Sequence, residues 1–229
     1  MSKADQILNF YEVLPKEFKS KKFVDKTYKS HLIKQKSMVL AVGGTGQGKT
    51  NMLCNFLKRS SGSYFDIIVF TGSNKAEPLY SYLSQSIQGL QLIDDITKMP
   101  RIESLKEDEK NELPKLIVWD DCIFLDKKLI REIEKFYMCS RKMGWTNFFL
   151  SQNYHSVSPF IRRNIQYLIL FKITDMKDMK QILSKYTSDI TIDKLKNMLN
   201  YATTEHLNFM TIAVNDPENT NIDIILQKY

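Results

Sequence analysis

The chain has 229 residues, 43% of them hydrophobic and 26% charged, with a mean hydropathy of −0.32, which suits one α/β domain with a full core and is short for two. No apolar run approaches the roughly 18 residues of a spanning helix, and the opening MSKADQILNFYEVLPKEF lacks a signal-peptide core, which argues against a membrane anchor and against secretion. The net charge of +7 permits a polyanionic partner without demanding one, and three scattered cysteines and three scattered histidines give neither a disulfide framework nor a zinc spacing, so any metal is expected to be magnesium held by oxygens.

Residues 1–36 read as a basic, partly helical N-terminal extension ahead of one domain over 37–229. Eight lysines fall between Lys16 and Lys36 against Glu17 and Asp25. Such a stretch is either a solvated lead-in or an arm for DNA phosphates or a partner surface. Ser37–Val42 is a continuous apolar run of buried-strand length. A glycine-rich turn follows, then a helical pattern with Met52, Leu53, Phe56 and Leu57 on one face and Gly62 as its stop. Asp66–Thr71 predicts a second buried strand, closed by Gly72-Ser73-Asn74. A helix over Glu77–Ser86 and a short strand over Leu90–Ile93 come next, then a surface excursion over 94–114 punctuated by Pro100 and Pro114.

Lys115–Asp120 is another apolar strand, and Asp126–Met143 has helical spacing through Leu129, Ile130, Ile133, Phe136 and Tyr137. Strands are predicted at Asn147–Ser151 and Gln166–Phe171, and short helices over about 175–186 and 192–202. A C-terminal hairpin pairs Asn208–Val214 with Asn221–Leu226 around residues 215–219. Strands alternating with helices imply an α/β fold, a mostly parallel central sheet with helices on both faces.

The sharpest motif is Gly43-Gly44-Thr45-Gly46-Gln47-Gly48-Lys49-Thr50, which fits G-x-x-x-x-G-K-[ST] at every fixed position. Phosphates need several backbone N–H donors converging on one point, and glycines let the chain curl that tightly. The next helix adds its N-terminal N–H groups, Lys49 a mobile charge for the β- and γ-phosphates, and Thr50 a hydroxyl for Mg2+. A chance match arises roughly once in a hundred chains of this length, and the strand before and helix after make it rarer.

Leu116–Asp121 is an apolar strand ending in two carboxylates. In a sheet beside the phosphate loop, Asp120 reaches the magnesium shell and Asp121 faces the γ-phosphate, where it orients or deprotonates water. The plainer reading is a strand ending in a polar turn. A second acid favours hydrolysis over transfer to a bound acceptor. Asn74-Lys75-Ala76-Glu77 superficially resembles a guanine-reading NKxD, but its place and its terminal Glu speak against that, so ATP is expected. Gln152, after Ser151, reaches the γ-phosphate if its strand lies between the other two motif strands. Arg141, ranked first, and Arg162 and Arg163 are candidates for the cation that a neighbouring subunit supplies in the transition state; a surface salt bridge or a DNA phosphate contact competes for each.

Together, Met38–Thr50, Ile67–Gly72, Leu116–Cys122, Phe148–Asn153 and Ile161-Arg-Arg-Asn164 resemble the viral DNA-packaging ATPases of the FtsK–HerA superfamily, above all the poxvirus-type packaging ATPases of large DNA viruses and virophages. The resemblance covers about residues 37–214 with the motifs in family order. It implies a RecA-like P-loop NTPase core, ATP with Mg2+, a homo-oligomeric ring, and translocation of double-stranded DNA into a capsid, with capsid vertex proteins as partners. It places the protein in the host cytoplasm or viral factory, or with the virion. It also carries Gly48, Lys49 and Thr50 as phosphate and metal contacts, Asp120 and Asp121 as metal and water groups, and Gln152 as sensor. Cellular members often have Asp-Glu where this chain has Asp-Asp. The alternative is another P-loop enzyme, such as a helicase-like ATPase or a nucleotide kinase; a kinase would want an arginine-rich lid and an acceptor pocket.

Overall fold

Short apolar runs buried on both faces favour parallel pairing, because helices must cover both sides of such a sheet. The runs Met38–Val42 (β1), Asp66–Thr71 (β2), Leu90–Ile93 (β3), Lys115–Asp120 (β4), Trp145–Ser151 (β5) and Tyr167–Leu170 (β6) pair in parallel. Phe209–Ala213 (β7) and Asp223–Gln227 (β8) extend the sheet antiparallel, in the order β3-β2-β4-β5-β1-β6-β7-β8. The molecule is a computed structural model that describes residues 23–73, 78–105, 113–186, 191–214 and 223–227, with Val13 and Pro15. The hairpin turn 215–219, the Asn74–Glu77 segment and Lys16, Lys19, Lys21 and Lys22 lie outside the described residues.

Side chains alternate across a strand, so each central strand feeds two cores. From β1, Val39 and Ala41 join a cluster with Met52 and Phe56 of α2 (Lys49–Arg59) and Tyr80 and Leu83 of α3 (Pro78–Ser86). Leu40 and Val42 point the other way. They belong to a second cluster with Ile133 and Phe136 of α4 (Lys127–Cys139), Ile161 of α5 (Pro159–Asn164), Met179 and Ile182 of α6 (Met176–Lys185) and Leu195 and Leu199 of α7 (Ile192–Ala202). The α/β expectation holds, with helices on both faces. No helix among the described residues is long and apolar enough to cross a membrane.

Most boundaries agree with the sequence pattern to within a residue or two, and the larger differences have physical reasons. β5 starts at Trp145, because Trp145 and Thr146 pair with Lys115 and Leu116 of β4. α4 ends at Cys139 and tightens into a 3-10 turn over Ser140–Met143, closed by Gly144 at φ +90°. α2 stops at Arg59, ahead of Gly62.

The described part of the basic stretch lies against the sheet. Ile33 is buried in the α2 core, and His31, 0% exposed, packs on the Phe56 ring at 4.9 Å between centroids. His31 Nδ1 accepts the Ile33 N–H (3.2 Å), which leaves the neutral ring's proton on Nε2, toward Thr27 Oγ1 (3.1 Å) and Asp25 Oδ2 (3.5 Å). Burial lowers the His31 pKa below 6.5; Asp25 opposes the shift and Arg59 adds to it. The unfolded chain therefore takes up a proton that the folded one refuses, and stability falls as pH drops below about 6.5. Denaturant midpoints measured between about pH 7.5 and 5.5 should decline toward acid, and His31→Gln should flatten the decline; equal slopes in both proteins would contradict this account.

Candidate functional site

β1 ends at Val42, and the chain turns at once: Gly43 N–H donates to Ser151 O (3.1 Å), tying the start of the loop to the end of β5. Gly48 caps α2 at φ +99°, a conformation that L side chains rarely adopt. A Cβ there would also lie 2.5 Å from Leu207 Cδ2, so the loop is clamped by the turn before β7. Lys49 Nζ reaches back to Gly43 O (2.8 Å) and Gly44 O (3.2 Å), holding the ammonium over the backbone of the loop itself. Thr50 stands half-buried in the first turn of α2, whose free N–H groups and dipole favour an anion.

Asp120 closes β4 and is 6% exposed. Its Oδ2 accepts the Tyr80 hydroxyl at 2.6 Å and its Oδ1 the Asp121 N–H at 3.0 Å. Asp121 turns left-handed (φ +50°), stays half-buried, and makes no side-chain hydrogen bond among the described residues. The end of β2 touches this turn directly. Gly72 N–H donates to Asp120 O (2.7 Å), and a Cβ on Gly72 would stand 2.4 Å from Asp121 O. Burial, followed by the two carboxylates, pushes the Cys122 thiol well above its ordinary range and keeps it protonated.

β5 lies between β1 and β4, the placement that Gln152 needs. Val42 pairs with Ser151 and Asp120 with Leu150, so the phosphate loop, Gln152 and the acid pair leave the sheet at one edge and one level. Gln152 is half-buried, and its amide makes no hydrogen bond among the described residues. The loop beyond it is pinned by Asp178 of α6, 1% exposed, which accepts from Tyr154 N (2.7 Å), His155 N (2.8 Å) and the His155 ring (2.8 Å).

The arginines are not gathered there. Arg141 is exposed and precedes β5, so the length of that strand, roughly 20 Å, separates it from the phosphate-loop edge. Arg162 is held by Gln181 Oε1 (2.9 Å) and lies over the Tyr154 ring at 5.0 Å. Arg163 is exposed and, among the described residues, bonds Pro159 O alone (3.2 Å).

Sequence reasoning missed several participants. Tyr80 reaches Asp120 from a separate helix, and Leu207 reaches Gly48 from the far end of the chain, contacts that leave no local signature. A cleft of about 240 Å³ opens beside the loop, lined by Gln47, Phe171, Lys172, Thr204, His206 and Asn208 among others. Helix α5 was legible in retrospect: Ser158 caps the Phe160 N–H and Pro159 opens the first turn.

The donors present suit a hard cation. Thr50 offers a hydroxyl and Asp120 a carboxylate, oxygen donors of the kind that such a cation takes.

A family profile described as Poxvirus A32 protein matches residues 24–217. Among solved structures, the chain is similar to B204, the DNA-packaging ATPase from Sulfolobus Turreted Icosahedral Virus, at 17% identity and TM-score 0.57, over 84% of this chain and 98% of that one. It is also similar to the genome packaging NTPase B204 from Sulfolobus turreted icosahedral virus 2 in complex with AMPPCP (16% identity, TM-score 0.56, 82% and 96% covered). A third likeness is to EssC (ATPases 2 and 3) from Geobacillus thermodenitrificans (12%, TM-score 0.51, 68% and 36% covered). At these identities the likeness shows the fold, a RecA-like P-loop core. Among curated proteins, none matches.

Because the Gly72 backbone packs against Asp121, Gly72→Ala must force the β2 and β4 ends apart. A loss of about 1–3 kcal/mol is expected in urea unfolding; unchanged stability would show that this contact is not tight.

Proposed function

The chain belongs to the Poxvirus A32 protein family, and on that premise we propose that it is an ATP-hydrolysing motor that moves double-stranded DNA and packages a viral genome into a preformed capsid. The observation that carries the reading is the pairing of Val42 with Ser151 and of Leu150 with Asp120, which brings phosphate loop, sensor and acids to one edge. The fold shared with the B204 packaging ATPase supports the DNA part.

In this reading the backbone N–H groups of residues 43–48 and the Lys49 ammonium hold the triphosphate. The base and ribose occupy the cleft beside Gln47, Phe171 and His206. Thr50 and Asp120 would hold a magnesium ion, which when bound would supply positive charge to the phosphates. Asp121 and Gln152, with side chains uncommitted to other described residues, position the attacking water and the γ-phosphate oxygens. The missing cation comes from a neighbouring copy in a homo-oligomeric ring. Arg163 is exposed and, among the described residues, held by a single carbonyl, while Arg162 is committed to Gln181 and Tyr154. Arg141 could serve only a neighbour's site, because its own lies across the length of β5. The ring works in the host cytoplasm or viral factory, against capsid vertex proteins.

Hydrolysis measured with and without duplex DNA tests the motor. Duplex should raise the rate at low salt, and the stimulation should fall steeply as salt increases; DNA that neither binds nor stimulates at low salt would remove the motor reading. Lys49→Ala should cut turnover at least about 100-fold while the protein stays folded. Undiminished hydrolysis in that variant would overturn the site assignment.

A further inference from the structure

We propose that Tyr80 is a positioning residue for the metal carboxylate: its buried hydroxyl sets the orientation of Asp120 and thereby the grip of the site on magnesium. The inference rests on the assignment of Asp120 to the metal.

Tyr80 is 1% exposed, and its ring sits in the apolar cluster with Met52, Leu53 and Val118. A phenol buried that deeply needs a partner for its hydroxyl. Tyr137, on the other face of the sheet, finds a backbone carbonyl, Val39 O at 3.1 Å. Tyr80 instead donates to Asp120 Oδ2 at 2.6 Å, the length of a hydrogen bond to an ionised carboxylate.

The chemistry of this donor matters. A lysine or arginine in the same place would cancel the negative charge that a cation needs. A phenol supplies a strong hydrogen bond and no net charge, so Asp120 is oriented and its desolvation offset while its charge stays available. With Oδ2 fixed by Tyr80 and Oδ1 by the Asp121 N–H, rotation of the carboxylate would break both bonds. The plane of the carboxylate is thereby held in one orientation. Partners of this kind, one shell out from a metal, change its affinity when they are removed.

Tyr80→Phe removes one oxygen and keeps the ring, so the cluster stays filled. The measurement is the affinity for a fluorescent, non-hydrolysable ATP analogue, first in EDTA and then along a Mg2+ titration. Tyr80→Phe should match the wild type in EDTA and need roughly 10-fold more Mg2+ for the half-maximal gain in affinity. Tyr80→Met, a second way to remove the hydroxyl, should shift in the same sense. Asp120→Asn run alongside should lose the Mg2+ response altogether. If Tyr80→Phe follows the wild-type Mg2+ curve while Asp120→Asn does not, Tyr80 plays no positioning part and Asp120 keeps its assignment. If Tyr80→Phe weakens EDTA and Mg2+ binding alike, the hydroxyl serves the fold alone, and the proposal is overturned. A full Mg2+ response in Asp120→Asn would remove the carboxylate assignment itself, and this inference with it.

Discussion

Backbone register at one sheet edge governs everything else in this molecule. Val42 stands opposite Ser151, and Leu150 opposite Asp120, so three neighbouring strands release their chains at the same height. With strands about 4.8 Å apart, β1 and β4 are separated by roughly 10 Å. That gap suits a triphosphate, a hydrated cation and a water in line. A slip of one residue in any pairing would turn each functional side chain to the opposite face. The buried alternation of Val39 and Ala41 with Leu40 and Val42 prevents such a slip, because both faces of β1 are filled.

Tight packing around the edge then holds each group in place. The Gly72 backbone lies against the Asp120–Asp121 turn, Leu207 against Gly48, and Asp178 grips the loop that follows Gln152. These contacts come from β2, the turn before β7, and α6, segments far apart in the chain. A buried carboxylate such as Asp178 is tolerable because two backbone N–H groups and a histidine ring satisfy it. The arrangement of the edge thus depends on the closure of the whole domain.

The distribution of legibility follows from this. The glycine-rich motif and the Asp120–Asp121 pair could be singled out directly as candidates, because each stands in consecutive residues after an apolar run. The two-faced sheet was legible for the same reason. Gln152 was legible only on condition that β5 lie between β1 and β4, which no local pattern could decide. Tyr80, Leu207, Gly72 and Asp178 could not be singled out, since each acts through a contact with a distant segment. Charge misled in one respect: the lysine count marked residues up to Lys36 as a lead-in, yet His31 and Ile33 between those lysines are core residues. The arginines were recognised as candidates, but their separation into Arg141 at the opposite end of β5 and Arg162 and Arg163 on α5 required the fold.

Nucleotide binding in this molecule would rest on a backbone cradle and a lysine facing carboxylates across one strand. Calorimetric titration of ATP into the wild-type protein, with Mg2+ and again with excess EDTA, addresses that arrangement directly. Saturable binding at one site per chain is expected, markedly tighter with the metal present. Absence of binding in both conditions, or an affinity indifferent to Mg2+, would contradict it.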